Sequence, residues 1–268
     1  MSAQRQPVVF LPHGGGPWPF VDVGFGDPRE LDALATYLKG LHGLPKSPPR
    51  AILIVSAHWE APVPTVMTSS HPPMLYDYSG FPPEAYALTW PAPGAPELAA
   101  RVRALLGAAG HATSEDPKRG FDHGAFVPLK LMWPEADVPT LQLSLQRGLD
   151  PAVHLSIGRA LIPLRDEGVF IVGSGMTFHN MRGFGDPRMI APADAFDAWL
   201  QKVTTASQLD RDAALEQWVR APGARLSHPR EEHLLPLMVI AGAAGTDVGS
   251  VGYSGRMMGL PLSAFHFG

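Results

Sequence analysis

Ala51-Ile52-Leu53-Ile54-Val55-Ser56-Ala57-His58-Trp59 decides the fold: an apolar run that passes without a break into an imidazole and an indole. Such a run reads as a strand in the interior of a sheet. Continuing it into His-Trp-Glu costs desolvation unless those polar groups find partners. The same grammar recurs on either side. Pro7 to Leu11 (PVVFL) leads into Pro12-His13-Gly14, Val169 to Gly173 (VFIVG) leads through Ser174-Gly175 towards Phe178-His179-Asn180, and Thr140 to Leu145 (TLQLSL) is a fourth strand. Between the strands, Leu31 to Leu41, Glu97 to Ala109, Val153 to Asp166 and Ala193 to Leu209 carry helical spacing. Strands that alternate with helices imply crossover connections and a largely parallel sheet covered on both faces. The expected architecture is a three-layer α/β/α fold, α/β in class, with residues 1–268 as one domain. Histidines just past strand ends sit where open α/β sheets hold their ligands.

Composition narrows the partners. The 268 residues carry 21 Lys and Arg against 25 Asp and Glu, a net charge of -4 without blocks of either sign. That distribution gives no electrostatic footprint for nucleic acid or an anionic membrane. Cysteine is absent, so disulfides, thiolate metal sites, iron–sulfur clusters and a cysteine nucleophile are excluded. Any metal must use nitrogen and oxygen ligands. Met1 to Gln6 is polar, and no apolar segment approaches the ~20 residues of a membrane helix, so a cytoplasmic protein is expected.

The 29 prolines and 28 glycines concentrate in Gly14 to Pro28, Ala61 to Pro96 and Gly183 to Pro192, each following a candidate site histidine. Loops of that length in a compact domain are usually functional or disordered. Tyr76, Tyr78, Phe81, Tyr86 and Trp90 favour an ordered lid in the second. His71, Tyr78 and Phe81 are its candidate substrate contacts, because a small-molecule pocket needs apolar walls with a few polar anchors. The competing reading packs these aromatics into a subunit interface and makes the protein a homo-oligomer.

Among eleven histidines, five have a setting built for a metal: His13, His58, His123, His179 and His233. His13 is followed by Gly14-Gly15-Gly16-Pro17, a tight turn lacking the Gly-Lys-Ser/Thr of a phosphate loop and the G-x-G-x-x-G of a dinucleotide site. Ser174 lacks the G-x-S-x-G of a nucleophile turn, which disfavours a serine hydrolase. Pro229 suits a first helical position, so a helix is expected from there to Ala244, with Glu231 and Glu232 at its positive end. His228 and His233 are five apart, about 500° of helical rotation, so at most one of them is a ligand. His42, His111 and His154 lie in or beside helices without a supporting motif, and His266 has no reading.

Five fragments in this order resemble the extradiol ring-cleaving dioxygenases of the LigB superfamily, most closely the 4,5-DOPA dioxygenase-like branch. They are Pro12-His13-Gly14, Ser56-Ala57-His58-Trp59, Gly120-Phe121-Asp122-His123-Gly124 with Pro128-Leu129, Ser174-Gly175 with His179-Asn180, and Pro229 with Glu232-His233 and Pro236-Leu237. The resemblance covers almost the whole chain. It implies that His13, His58 and His233 are metal ligands, with Glu232 as the alternative to His233. His179 becomes the catalytic acid–base or an additional ligand, and His123 a second catalytic histidine near the substrate hydroxyls. Phe126 departs from a frequent tryptophan, and the longer glycine turn after His13 is a second departure. The implied cofactor is Fe(II), with Zn(II) a metal that such a site captures during purification. The implied reaction opens the ring of a catechol-type small molecule beside a hydroxyl-bearing carbon, placing both atoms of O2 in a semialdehyde product. Two other classes fit the same histidines: a zinc hydrolase that activates water, and a catalytically silent binding protein.

Overall fold

The structure, a computed structural model, describes residues 4–268. The four apolar runs all become strands. In chain order the strands are β1 (Val8–Pro12), β2 (Ala51–Ala61), β3 (Thr65–Met67), β4 (Ser114–Asp116), β5 (Thr140–Gln146), β6 (Val169–Gly175), β7 (Gly249–Met257) and β8 (Leu260–Phe267). They form one sheet in the order β4-β3-β5-β2-β6-β1-β8-β7. The central β5, β2, β6 and β1 are parallel, which is what unbroken apolar runs demand when both faces are covered. Antiparallel pairing is confined to the flanks, where β8 joins β1, β7 joins β8 and β3 joins β5.

The helices are α1 (Pro28–Gly40), α2 (Pro96–Ala108), α3 (His123–Met132), α4 (Pro151–Ala160), α5 (Ile162–Asp166), α6 (Ile190–Thr204), α7 (Gln208–Glu216), α8 (Ala224–Ser227) and α9 (Leu235–Ala244). α9 is buried all round, as a helix without a polar face must be, and packs on β6, β1 and β2 with α4 against it. α3 packs on β2 and β6 with α1 beside it. Alternation along β6 shows that these are opposite faces. A Cβ on Gly173 would lie 2.6 Å from Ile240 and 2.8 Å from the Pro236 carbonyl of α9, whereas the next side chain, Ser174, donates to the Gly124 carbonyl of α3. Gly173 and Gly175 lie inside β6. They are strand positions stripped of side chains so that the backbone leading into α9 can lie against the sheet.

Three expectations shift. The helical stretch Val153 to Asp166 breaks at Leu161, because Pro163 brings no N–H and starts a new first turn in α5. Ala193 to Leu209 divides where Ser207 caps α7 by accepting from the Asp210 N–H at 3.3 Å. The helix expected from Pro229 begins at Leu235, with Pro236 in its first turn. The His233 carbonyl accepts the Met176 N–H at 2.9 Å while the Leu237 N–H turns to the Leu234 carbonyl at 3.0 Å, so Glu231 and Glu232 lie ahead of the helix rather than in its first turn. No described helix is long and apolar enough to cross a membrane.

Candidate metal centre

Sheet register brings the first two histidines together. Pro12 of β1 lies opposite Gly175 of β6, Ser56 of β2 lies opposite Ser174, and His13 donates its N–H to the Gly175 carbonyl at 3.3 Å. Gly14 follows at φ 76°, a left-handed conformation that glycine adopts without penalty, and its missing side chain leaves room for the Trp18 ring. His58 lies inside β2 rather than past its end. Between Val55 and Glu60 the pairing of β2 with β5 slips, and a bulge of that kind re-aims a side chain. His233 arrives from the segment before α9, and His123 is the first residue of α3, whose cap Asp122 accepts from Ala125 N–H at 3.1 Å.

Nε2 of His58 lies 3.1 Å from Nε2 of His13 and 3.3 Å from Nε2 of His233. The hydrogen bonds behind the rings say which nitrogens carry protons. Ser174 gives its hydroxyl proton to the Gly124 carbonyl, so the 3.1 Å contact between its Oγ and His13 Nδ1 requires His13 Nδ1–H as donor. Glu232 accepts from His233 Nδ1–H at 3.0 Å, and the Asp77 carboxylate lies 3.6 Å from His58 Nδ1. With protons on Nδ1, the Nε2 lone pairs of His13 and His233 both face His58 Nε2, and His58 adds a third when its proton lies on Nδ1, the side of Asp77. They repel unless a cation sits among them, and nitrogens held at about 2.0–2.1 Å from one ion lie about 3.0–3.4 Å apart. The donor set therefore fits a metal that accepts imidazole. Burial, foremost, and then the neighbouring imidazoles push His13 well below the ordinary histidine value and His58 down to about 4. His233 is also well below it, burial outweighing the Glu232 hydrogen bond. These directions favour the neutral form of all three, the form in which an imidazole can ligate a metal.

Two further histidines flank this core. His123 donates Nδ1–H to Asp77 Oδ1 at 2.8 Å, and the same oxygen accepts its backbone N–H at 3.0 Å. His179 stacks on His233 with ring centres 3.3 Å apart and sets Nδ1 3.3 Å from Glu232 Oε1. Burial works to raise the Glu232 carboxyl, but the hydrogen bonds from His179 and His233 prevail and hold it far below the usual range. Behind His58, the buried Asp122 accepts from Ser56 Oγ at 2.7 Å, from Arg119 at 2.6 Å and from Gln142. Geometrically there are two triads, His13–His58–His123 and His179–Glu232–His233, joined by the contact between His58 and His233.

The five histidines open onto one cavity of about 390 Å³, at the small end of the ~300–1,000 Å³ usual for small-molecule sites. Its other walls are the Gly14–Gly16 turn, Phe25, Met176, Met181, Phe184, Met257 and Met258. The expected aromatic contacts lie elsewhere. His71 is exposed, beside the Ser70 hydroxyl at 3.0 Å. Tyr78 donates its hydroxyl to the Ala85 carbonyl at 2.6 Å and backs the His123 ring at 5.8 Å, and Phe81 packs behind Gly16. The 61–96 segment is held by Tyr76 hydroxyl to Leu88 carbonyl within it and by Trp90 Nε1–H to the Trp133 carbonyl at the end of α3, both 2.7 Å. It buttresses the site from outside the cavity. Sequence reasoning passed over Asp77 and the supporting role of Ser174. The Tyr76-Asp77-Tyr78 context was the one available signal for the former, a carboxylate amid aromatics in a loop already marked as functional. His228 is buried apart, its Nε2–H donated to the Thr177 carbonyl at 3.0 Å.

The model of a family described as the catalytic LigB subunit of aromatic ring-opening dioxygenase matches residues 27–261. A dioxygenase of Hapsidospora irregularis, tasH, is 38% identical over 280 residues, covering 98% of this chain and 85% of its own length. The 4,5-DOPA dioxygenase extradiol of Beta vulgaris is 46% identical over 200 residues, 74% of each chain. That of Escherichia coli K12 is 36% identical over 246 residues, 91% of this chain and 87% of its own. Among solved structures, an uncharacterized protein of Escherichia coli K12 superposes with a TM-score of 0.79 at 31% identity, covering 98% of this chain and all of the other.

Proposed function

We propose, on the premise that the chain belongs to the LigB family and is a metal-dependent extradiol ring-cleaving dioxygenase, that Fe(II) is its working metal, that His13, His58 and His233 hold it, and that the substrate is a catechol. The observation that carries the ligand set is the convergence of three Nε2 atoms whose Nδ1 sides are turned towards Ser174, Asp77 and Glu232. The plant and bacterial relatives are named for DOPA, whose catechol nucleus is the part we carry over to this chain. A ferrous ion held there supplies the electron transfer that triplet dioxygen needs before it reacts with a singlet catechol.

The chain's own residues do the rest. His123, its Nδ1–H committed to Asp77, keeps Nε2 free to accept a proton from a substrate hydroxyl. His179, whose Nδ1 faces Glu232, keeps Nε2 for proton return, and Glu232 ties that ring to the ligand His233. Asp77 and Glu232 are positioning residues that fix tautomer and ring orientation. The apolar walls exclude water while a flat ring is held beside the histidines.

The test is anaerobic loading with Fe(II) or Zn(II), followed by catechols and oxygen. Iron-loaded protein is expected to consume one O2 per catechol and form a ring-opened semialdehyde, with the zinc form inert. Stoichiometric iron without oxygen uptake on any catechol refutes the proposal, and hydrolysis by the zinc form points to the hydrolase instead.

A further inference from the structure

The cavity beside the histidines has an unusual wall. Phe25, Met176, Met181, Phe184, Met257 and Met258 form it, and among the described residues no Lys, Arg, Asp or Glu lines it. Three arginines close in sequence to wall residues are paired: Arg29 with Asp27 at 2.7 Å, Arg188 with Asp186 at 2.7 Å and Arg256 with Asp194 at 2.9 Å. Arg182, next to Met181 in sequence, is exposed and forms no part of the wall. Behind the histidines lie Asp77 and Glu232, the latter also paired with Arg230 at 3.2 Å. The apolar surface also continues outward, because Met181 is 71% exposed. This wall is built rather than loose. The β7–β8 tip that carries Met257 and Met258 is tied to α1 through Gly259 N–H to Glu30 at 3.3 Å, and Arg256 donates to the Gly259 carbonyl at 2.6 Å.

We infer that the catechol this enzyme opens carries an uncharged, apolar ring substituent, accommodated by the methionine–phenylalanine wall, and not an amino-acid or carboxylate side chain. This rests on the extradiol reading of the histidine cluster. A carboxylate entering here would shed water without gaining a cationic partner on the wall. An ammonium group fares no better, since no acid lines the wall. Methionine side chains adapt their shape to an apolar group of irregular outline.

The decisive pair is 4-propylcatechol and 3-(3,4-dihydroxyphenyl)propanoate, near-equal in length and differing in the terminal charge, with DOPA as the zwitterionic third. Iron-loaded protein is expected to open propylcatechol with a kcat/KM at least about 10-fold higher than either charged compound. Anaerobic calorimetry on the zinc-loaded protein, which does not turn over, is expected to give the same ranking in Kd. Equal or reversed rankings overturn the inference while leaving ring opening intact. If iron-loaded protein opens none of the three, the extradiol reading falls, and the calorimetric ranking still decides the chemistry of the wall. Met258→Arg, at full metal content, is expected to narrow the preference at least about threefold, and an unchanged preference would remove the hairpin tip from the wall.

Discussion

His154, in the first turns of α4, and His13, at the end of β1, are buried to the same degree, each 1% exposed. In both, burial is the leading cause of a lowered pKa. They differ in where the second nitrogen points. His154 donates Nδ1–H to the Asp150 carbonyl at 2.7 Å and accepts the Gln146 N–H on Nε2 at 3.1 Å, so the backbone uses both ring atoms. His13 spends Nδ1–H on Ser174 and turns Nε2 onto another imidazole. Depth and depressed basicity are thus shared by a histidine spent on the backbone and one proposed as a ligand, and the unspent lone pair separates them.

The most severe test of that contrast removes a lone pair. His13→Ala or His233→Ala is expected to abolish stoichiometric metal by elemental analysis and reduce turnover to background, whereas a variant that still binds one metal breaks the distinction. Next in size, His123→Ala is expected to keep iron and lose turnover on the order of 10²–10⁴-fold, and undiminished activity would remove it from proton transfer. In His179→Ala the metal content decides the role: retention makes it a base, loss a ligand. Smaller effects come from the groups that hold the rings. Ser174→Ala should weaken metal binding about 10–100-fold, and Asp77→Asn should lower kcat by a similar factor at constant iron. Metal titration and steady-state kinetics check these, and wild-type values would mean that the ring orientations do not depend on their partners.

His154→Gln is the control. Iron content and kcat are expected to stay at wild-type levels, with stability reduced by about 1–3 kcal/mol as paired backbone groups lose their partner. Its pH signature follows from the direction of the shift. The folded pKa lies below the ordinary 6.5, so as pH falls through about 6.5 the unfolded state binds protons first and wild type loses stability. The gap between wild type and His154→Gln in denaturant melts should therefore shrink below about pH 6.5 and be fully open above it.

Much of this contrast could be read from sequence. Four apolar runs named the central strands, and the histidines that follow them open onto one cavity, because parallel strands in register place their ends along one edge. The β7–β8 hairpin stayed hidden because Gly249, Gly252, Gly255 and Gly259 mask its alternation, and pairing with β1 is what orders it. The start of α9 was ambiguous because Pro229 and Pro236 both suit a first turn, and a long-range bond from Met176 to His233 decides between them. Asp77, Ser174 and Glu232 act through partners 46, 161 and 1 residues away in sequence. Long-range partnerships of the first two kinds leave no local pattern. The aromatic loop lies outside the cavity wall: Tyr76 and Tyr78 donate to carbonyls of their own segment, Trp90 donates to Trp133 and Tyr78 backs His123, while methionines from three other segments line the cavity.

Crystals of anaerobically iron-loaded protein, measured across the iron absorption edge, test the central claim most directly. The account predicts one anomalous peak about 2.0–2.2 Å from Nε2 of each of His13, His58 and His233, with Nδ1 of His13 and His233 still facing Ser174 and Glu232. A peak that excludes any of these three, or a full iron complement bound elsewhere, would contradict it.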